Sequence, residues 1–385
     1  MLGKCEFLNP GGSSKDRIAK RIVEEAEAEG RLGAGGTLVE GSAGSTGVSL
    51  SLMARARGYG CRIFIPDDAA AEKSDLLTQF GADVTRVPPA SIINEGHYCN
   101  RARKEAACTE GAVFADQFEN LANFRAHYEG TGPEIWRQCG GRVDAFVMAA
   151  GTGGTLAGVA RFLKEQTEDA VEVYLVDPPG SSLYGKVTSG VAYAPQQGER
   201  VIRTHRYDTI TEGIGIDRLT ANFLEALPDH NGLKGGVDDA FRGTDQEAVD
   251  MAHFLLAQDG LFVGSSSAMN CVGAVRVARK MMKERRERRR RRGTAAGNGG
   301  GEKGEKGEMG EKGAGVAAEG TKEEGEEGEE KLVIVTILCD SGARHLTKMY
   351  NGDYLKSRGL HNPADDDDAT SKIRIKPPNV DFIGE

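Results

Sequence analysis

The feature of this sequence that most constrains its fold is the alternation of short apolar runs with longer helical patterns. The apolar runs, each typical of a β-strand, lie at 37–41, 61–66, 82–87, 112–115, 145–150, 171–177, 261–264 and 332–338. Helical patterns lie between them, for example at 14–30 and 244–260, where apolar residues recur at helical spacing. The alternation predicts an α/β fold with mostly parallel sheets, and the uniformly apolar strands indicate that helices cover both sheet faces.

One long segment breaks this pattern. Residues 284–331 begin with an arginine block and continue almost entirely in Gly, Lys and Glu, ending in the acidic run at 323–330. Such a segment buries too little apolar surface to offset the entropy of ordering it, so we expect a disordered low-complexity insert. We also expect a loosely held tail at 361–385. The arginine block alone would suit a nuclear or nucleic-acid patch, but the acidic half nearby cancels it, which favours a solvated helix end that opens a low-complexity loop. The net charge of −9 likewise favours a protein without a nucleic-acid partner.

Cysteine and histidine usage points away from metal sites. The seven cysteines and seven histidines are scattered, with no CxxC or HExxH pattern. This spacing predicts free thiols in a reducing compartment and no metal site. The sequence has no run of about 18 apolar residues, so no membrane span is predicted. The N-terminal residues lack a signal-peptide or transit-peptide pattern, so we expect no targeting segment in this chain and a cytoplasmic or mitochondrial location.

The segment 9–17, NPGGSSKDR, places Lys15 at the start of a predicted helix, directly after a Pro-Gly-Gly turn. The partial positive charge of a helix N-terminus disfavours an ammonium group, and a lysine with a lowered pKa suits covalent catalysis. The alternative is a solvated lysine in a helix that Ser13 or Ser14 caps. The spacing does not fit a nucleotide-binding P-loop.

A second segment, 151–158, reads GTGGTLAG and follows the predicted strand at 145–150. Backbone amides, two threonine hydroxyls and a helix N-terminus converge there, which predicts a phosphate site. Leu156 stands where a dinucleotide fingerprint requires glycine, which weakens that interpretation. A tight strand-to-helix turn without a ligand is the remaining alternative.

Two further segments follow predicted strands. The segment 40–47, EGSAGSTG, offers hydroxyls and amides that suit a carboxylate, although the pattern alone is weak. The segment 339–344, CDSGAR, places Ser341 at the carboxyl end of the last strand, where ligands gather in open α/β sheets. A helix N-cap explains Ser341 equally well.

Taken in order, these four segments resemble the cysteine synthase and cystathionine β-synthase family of pyridoxal 5′-phosphate (PLP) enzymes, and cysteine synthase most of all. The resemblance covers 1–283 and resumes at 332–356, and it includes DQFEN at 116–120 and EGIG at 212–215. It implies the bilobed α/β fold type II, similar to the tryptophan synthase β subunit, with two parallel-rich sheets flanked by helices. We expect a smaller mobile lobe at 30–126 and a larger PLP-binding lobe at 1–29, 127–283 and 332–360.

The resemblance also implies a role for each site residue. Lys15 is the catalytic lysine that binds the cofactor covalently. The cofactor-binding residues that the resemblance implies are Lys15, Ser45, Gly151, Thr152, Gly153, Gly154, Thr155 and Ser341. The substrate-binding residues that it implies are Ser42, Gly44, Thr46, Gln117 and Gly213. Within this set Ser341 matches a serine that hydrogen-bonds the pyridine nitrogen, and Ser45 replaces an asparagine that touches the phenolic oxygen.

The function implied is β-replacement of O-acetylserine by sulfide, giving L-cysteine and acetate. Cysteine desulfhydrase and cystathionine synthase would use the same residues. Family members usually carry some tens of residues before the lysine motif, so a catalytically impaired homologue that binds PLP or a partner is a further alternative. The expected ligands are a small amino acid and sulfide, and the expected assembly is a homodimer.

Overall fold

Two parallel β-sheets form the frame of the computed structural model, which describes residues 1–69, 71–194, 209–228, 236–297 and 331–365. The strands are β1 (Leu2–Cys5), β2 (Thr37–Gly41), β3 (Gly60–Pro66), β4 (Asp83–Val87), β5 (Ala112–Phe114), β6 (Ala145–Met148), β7 (Glu172–Asp177), β8 (Asp239–Arg242) and β9 (Ile334–Leu338). The larger sheet has the order β1-β9-β6-β7-β8 and the smaller one β4-β3-β2-β5, and all strand pairs are parallel. The predicted α/β architecture with two parallel sheets is confirmed.

Helices flank both sheets. They are α1 (Lys15–Ala28), α2 (Ser45–Arg57), α3 (Ala71–Gln79), α4 (Tyr98–Cys108), α5 (Ala122–Ala126), α6 (Gly132–Gln138), α7 (Gly154–Gln166), α8 (Leu183–Ser189), α9 (Ala221–Leu224), α10 (Asp245–Asp259), α11 (Ser265–Gly297) and α12 (Gly352–Ser357). A π-helical turn spans His127–Thr131, and short 3₁₀ turns span Glu6–Leu8, Gly342–Arg344 and Pro363–Asp365. None of the described helices is long and apolar enough to cross a membrane.

Strand β6 shows why the central strands are apolar along their whole length. Phe146 and Met148 point to one face of the larger sheet and join a core with Leu156 of α7. Ala145 and Val147 point to the other face and pack with residues of α11. Because both faces are covered, an alternating polar pattern would bury polar groups. Packing on both faces therefore fixes the carboxyl end of β6, where the chain turns into α7.

Helix α1 packs into the smaller lobe, although β1 just before it belongs to the larger sheet. Ile18, Ile22 and Val23 are at most 1% exposed and share a core with Leu38 and Ile63 of the smaller sheet. This packing differs from the expected division, which assigned 15–28 to the larger lobe. The apolar stripe of an amphipathic helix is buried against the sheet beside it, whichever strand precedes it in sequence. The other expected lobe boundaries stay a prediction.

Two further expectations differ from the structure. The apolar run 261–264 forms no strand, because the left-handed Gly260 ends α10 and Ser265 begins α11, and only Val263 makes an isolated bridge. Helix α11 continues through Gly297, so the helix end expected at the arginine block extends over 284–297, the first part of the expected insert. Arginine, lysine and glutamate are good helix formers, which accounts for this continuation. Residues 298–330 of the expected insert and 366–385 of the expected tail lie outside the described residues.

Candidate active site

A cleft of about 700 Å³ lies between the two lobes and collects most of the predicted site residues. The predicted residues that line it are Lys15, Ser42, Gly44, Ser45, Thr46, Gln117, Gly151, Thr152, Gly153, Thr155 and Gly213. Gly154, the first residue of α7, stands between the lining residues Gly153 and Thr155 in sequence. Segments far apart in sequence therefore meet at one cleft, and Ser341 does not join them.

Lys15 is the first residue of α1, and its Nζ lies 3.3 Å from Ser14 Oγ. The turn before it is tied to the helix, because Gly11 N donates to Asp16 Oδ2 at 2.5 Å. Gly12 adopts a φ of +73°, a left-handed conformation that favours glycine. The lysine amine is thus held at the cleft wall by a rigid turn.

Arg17 anchors the lysine helix to the larger lobe. Its guanidinium donates to Glu6 Oε2 at 2.7 Å and to Glu134 Oε1 at 2.9 Å. Glu6 is 2% exposed, so its charge is compensated inside the protein rather than by solvent. Helix α1 packs in one lobe, and Arg17 fixes its first turn to elements of the other.

The glycine-rich loop 151–155 connects β6 to α7 and has no room for side chains at its glycines. A Cβ atom at Gly151 would lie 2.2 Å from the carbonyl oxygen of Gly213, and one at Gly154 would lie 2.0 Å from Asn123 Oδ1. Gly153 has a φ of +88°. The loop therefore presents bare backbone at the N-terminus of α7, where the first amides have no partner within the helix.

The two threonine hydroxyls of this loop are oriented by buried partners. Thr152 Oγ1 accepts from Asn123 Nδ2 at 2.8 Å, and Thr155 Oγ1 lies 3.0 Å from His127 Nε2. His127 Nδ1 in turn lies 2.8 Å from Thr131 Oγ1. Complete burial lowers the pKa of His127 well below its ordinary value, with the charges of Lys15 and Arg17 acting in the same direction, so the imidazole is neutral. The amides at the N-terminus of α7 and the two oriented hydroxyls are hydrogen-bond donors. Together they form a site for an anion such as phosphate.

The loop 42–47 faces this anion site from the smaller lobe. Ser42 Oγ accepts from Gly44 N at 3.3 Å and from Gly47 N at 3.2 Å. Thr46 Oγ1 donates to Gln117 Oε1 at 2.6 Å, and both side chains are buried. Ser42 therefore keeps its own proton for a ligand. The Gln117 amide is turned so that its NH₂ group donates one of its two hydrogens to Gly41 O at 3.4 Å.

The structure does not bring Ser341, the expected contact of the pyridine nitrogen, into the cleft. Ser341 does not line the cleft, and its hydroxyl accepts from Ala343 N at 3.2 Å as the cap of a 3₁₀ turn. The cleft wall beside Cys339 and Asp340 carries Ser266 instead, from the first turn of α11. Sequence reasoning missed Ser266 because the preceding residues were interpreted as a strand. The signal was present in the serine run 265–267 after Gly264.

Charged groups at the cleft were also missed. Glu212 accepts from Lys73 Nζ of α3 at 2.9 Å and from Lys348 Nζ at 2.6 Å, which joins the smaller lobe to the larger one. Burial alone would raise the pKa of Glu212, but the two lysines outweigh burial and lower it to about 2. Arg344 Nη1 donates to Ser45 Oγ at 2.8 Å and its Nη2 donates to Gly11 O. No local sequence signal links these pairs, because their partners are more than 130 residues apart.

A family model described as pyridoxal-phosphate dependent enzyme matches residues 1–287. Cysteine synthase 2 of Schizosaccharomyces pombe is 42% identical over 369 residues, which is 94% of this chain and 80% of that protein. The cysteine synthase of Dictyostelium discoideum is 41% identical at the same coverage of both chains. A protein of Saccharomyces cerevisiae described as a putative mitochondrial cysteine synthase is 46% identical and covers 73% of this chain and 72% of its own length.

Among solved structures, the O-acetylserine dependent cystathionine beta-synthase from Helicobacter pylori matches with a TM-score of 0.65 and 26% identity. The match covers 90% of this chain and 88% of that one. The likeness therefore extends to both sheets and to the cleft between them.

Proposed function

Because this chain belongs to the family of pyridoxal-phosphate-dependent enzymes, we propose that it is a cysteine synthase, which replaces the acetate of O-acetylserine by sulfide and forms L-cysteine. The observation that carries this proposal is the meeting of three groups in one cleft: the Lys15 amine, the glycine-threonine loop at α7 and the hydroxyl-amide loop 42–47. Relatives described as cysteine synthases at 41–46% identity support the choice of reaction.

The residues present fit PLP. Gly151 and Gly153 pack against the backbone of Gly213 and Phe223, so a Cβ atom at either position would displace the loop. The loop presents its amides and the hydroxyls of Thr152 and Thr155, and these hydroxyls have no carboxylate partner. This donor set suits a phosphate ester. Gly151, Thr152, Gly153, Gly154 and Thr155 would hold the phosphate, and Lys15 would hold the cofactor covalently. When bound, the cofactor supplies an electron sink for the negative charge that develops at the substrate α-carbon.

Lys15 has two tasks in this proposal. Its Nζ would anchor the cofactor covalently and would be free again once the amino substrate is bound. The free Nζ then removes the proton from the α-carbon as a general base. The β-carbon–oxygen bond breaks and acetate leaves with its electron pair. Hydrosulfide forms the new carbon–sulfur bond, and Lys15 returns the proton to the α-carbon.

Ser42, Thr46 and Gln117 form what we term the carboxylate clamp. The Ser42 hydroxyl accepts hydrogen bonds from two backbone amides. Its own O–H would donate a hydrogen bond to the substrate carboxylate. Because Gln117 Oε1 accepts from Thr46, the Gln117 NH₂ group is the donor, and the hydrogen that does not bond Gly41 O would bind the same carboxylate. Gly44 gives this loop its extended turn, and Gly213, with a φ of +75°, lets the opposite loop approach Gly151. Ser45 lies in the same loop and would face the cofactor. Its hydroxyl accepts a hydrogen bond from Arg344, which fixes its position.

We place the contact to the pyridine nitrogen at Ser266, in place of Ser341. Ser266→Ala is expected to shift the cofactor absorption band and to weaken cofactor binding roughly threefold to tenfold, because one hydrogen bond in the cleft is lost. Ser341→Ala is the matched control. It should leave the band unchanged and cost about 1 kcal/mol of stability through the lost turn cap. A shifted band in Ser341→Ala with an unchanged one in Ser266→Ala would reverse the assignment.

The ion pairs of Glu212 with Lys73 and Lys348 hold the lobes together over the substrate. In Glu212→Gln two like charges face each other across the cleft without a counter-charge, which favours the open arrangement. Each partly exposed pair contributes up to about 1 kcal/mol, so we expect the KM for O-acetylserine to rise roughly threefold to tenfold with an unchanged cofactor band. Glu24→Gln, which removes a surface pair with Lys20, is the control. An unchanged KM in Glu212→Gln would argue against a role of this triad in closure.

Homodimer formation and a cytoplasmic or mitochondrial location are part of the proposal. The resemblance to cysteine synthases supports the dimer, and the relative described as putatively mitochondrial supports the second of the two compartments. Sedimentation of the purified protein tests the dimer, and fractionation of the source cells tests the location.

The reaction is tested with purified PLP-loaded protein, O-acetylserine and sulfide. The proposal predicts cysteine and acetate in equal amounts, and no cysteine when either substrate is omitted. Homocysteine in place of sulfide tests for cystathionine synthase, and cysteine alone tests for sulfide release by a desulfhydrase. If either of those two reactions is faster than cysteine formation from O-acetylserine and sulfide, that reaction is the function and cysteine synthase is not.

A further inference from the structure

Glu40 is a buried carboxyl group at the base of the carboxylate clamp. It is the penultimate residue of β2 and is 1% exposed. Its Oε1 accepts from Gly41 N at 2.9 Å, and its Oε2 accepts from Gln117 N at 3.1 Å. Gly41 leads directly into Ser42, so the two amides belong to the two halves of the clamp. Glu40 thus holds both halves at a fixed separation.

In the part of the chain that the structure describes, no Lys, Arg or His side chain forms an ion pair with Glu40. Its neighbour Asp116 pairs with Arg103, whose Nη2 lies 3.5 Å from Asp116 Oδ2. The titratable groups that face Glu40 are Asp116, Cys61 of β3, and Tyr98 and Cys99 of α4. All of these are neutral or negative at neutral pH. Burial and, to a smaller extent, the charge of Asp116 raise the pKa of Glu40 to about 8, against the hydrogen bonds from Gln117 and from the Gly41 amide.

We propose that Glu40 is the positioning residue of the carboxylate clamp and that its negative charge opposes the binding of a substrate carboxylate. This inference rests on the proposed clamp of Ser42, Thr46 and Gln117. A second carboxylate next to an uncompensated one is disfavoured, so the ligand binds well while Glu40 is neutral. Binding becomes weaker as the pH rises through the pKa of Glu40, and the clamp then binds its ligand together with a proton.

The test measures the dissociation constant of propionate, a carboxylate without an amino group, between pH 6.5 and 9.5. Binding to the PLP-loaded protein is followed by cofactor fluorescence, so the readout does not depend on turnover. In the wild-type protein the constant is expected to rise about tenfold across this range, which corresponds to a coupling of about one pKa unit. In Glu40→Gln it should be independent of pH.

Asp116→Asn provides a second variant that leaves Glu40 in place. Asp116 has a φ of +52°, which asparagine also tolerates, so the backbone is preserved. Removing its charge lowers the pKa of Glu40, and the midpoint of the pH dependence should move to lower pH. A flat wild-type profile, an equal pH dependence in Glu40→Gln, or no propionate binding at any pH would each overturn the inference. Failure of the proposed function is distinct from these outcomes, because it would appear as an absence of cysteine formation.

Discussion

Lys15→Ala is expected to abolish cysteine formation, with a loss of at least about 10³-fold in kcat/KM. The variant lacks both the covalent anchor of the cofactor and the general base, and proton transfer alone accounts for about 10²- to 10⁴-fold in rate. The loss is measured as cysteine formed from O-acetylserine and sulfide with excess PLP. The absorption band of lysine-bound cofactor should disappear in the same variant.

Lys20→Ala is the matched control, since Lys20 lies on the same helix and its side chain is 61% exposed beside Glu24. It should retain the band and the activity. Cysteine formation by Lys15→Ala at a rate near that of the wild type would mean that another amine performs the chemistry.

Gly151→Ala is expected to weaken PLP binding by about tenfold or more. The added Cβ would lie 2.2 Å from the carbonyl oxygen of Gly213, a backbone atom that cannot rotate away. Relief requires a shift of both loops, and forcing extra atoms into a packed site costs about 1–3 kcal/mol. The measurement is a titration of the apoprotein with PLP, followed by absorbance.

Gly33→Ala serves as the control for the added methyl group, because a Cβ at Gly33 meets no atom within 4 Å. It should bind PLP like the wild type. Equal affinity in Gly151→Ala would contradict the role of the 151–155 loop as a rigid cradle.

The strands and the first helix of this protein could be predicted from sequence because their signals are local. The apolar run at 37–41 coincides with β2, and the expected helix at 14–30 contains α1. Strand β8 was missed because its sequence, DAFR, has no apolar run, as suits the edge of a sheet. The run at 261–264 failed for the opposite reason, since its apolar residues fill a short connection between two helices.

The position of a residue at the cleft could be predicted where a motif carries its own backbone geometry. The turn at Lys15 and the loop 151–155 are defined by glycines and by the start of a helix, so short segments sufficed. Ser341 and Ser266 both follow apolar runs, and only their positions relative to the cleft separate them. The partners of Glu212 and Arg344 depend on how the two lobes meet, which no local pattern encodes.

The most direct test of the central claim is the absorption spectrum of the purified protein before and after addition of O-acetylserine and then sulfide. We predict the band of a lysine-bound cofactor, a change of that band with O-acetylserine, and its return when sulfide is added and cysteine forms. A protein without this band, whose spectrum is the same in Lys15→Ala even with excess PLP, would contradict the assignment of Lys15 and of the cofactor.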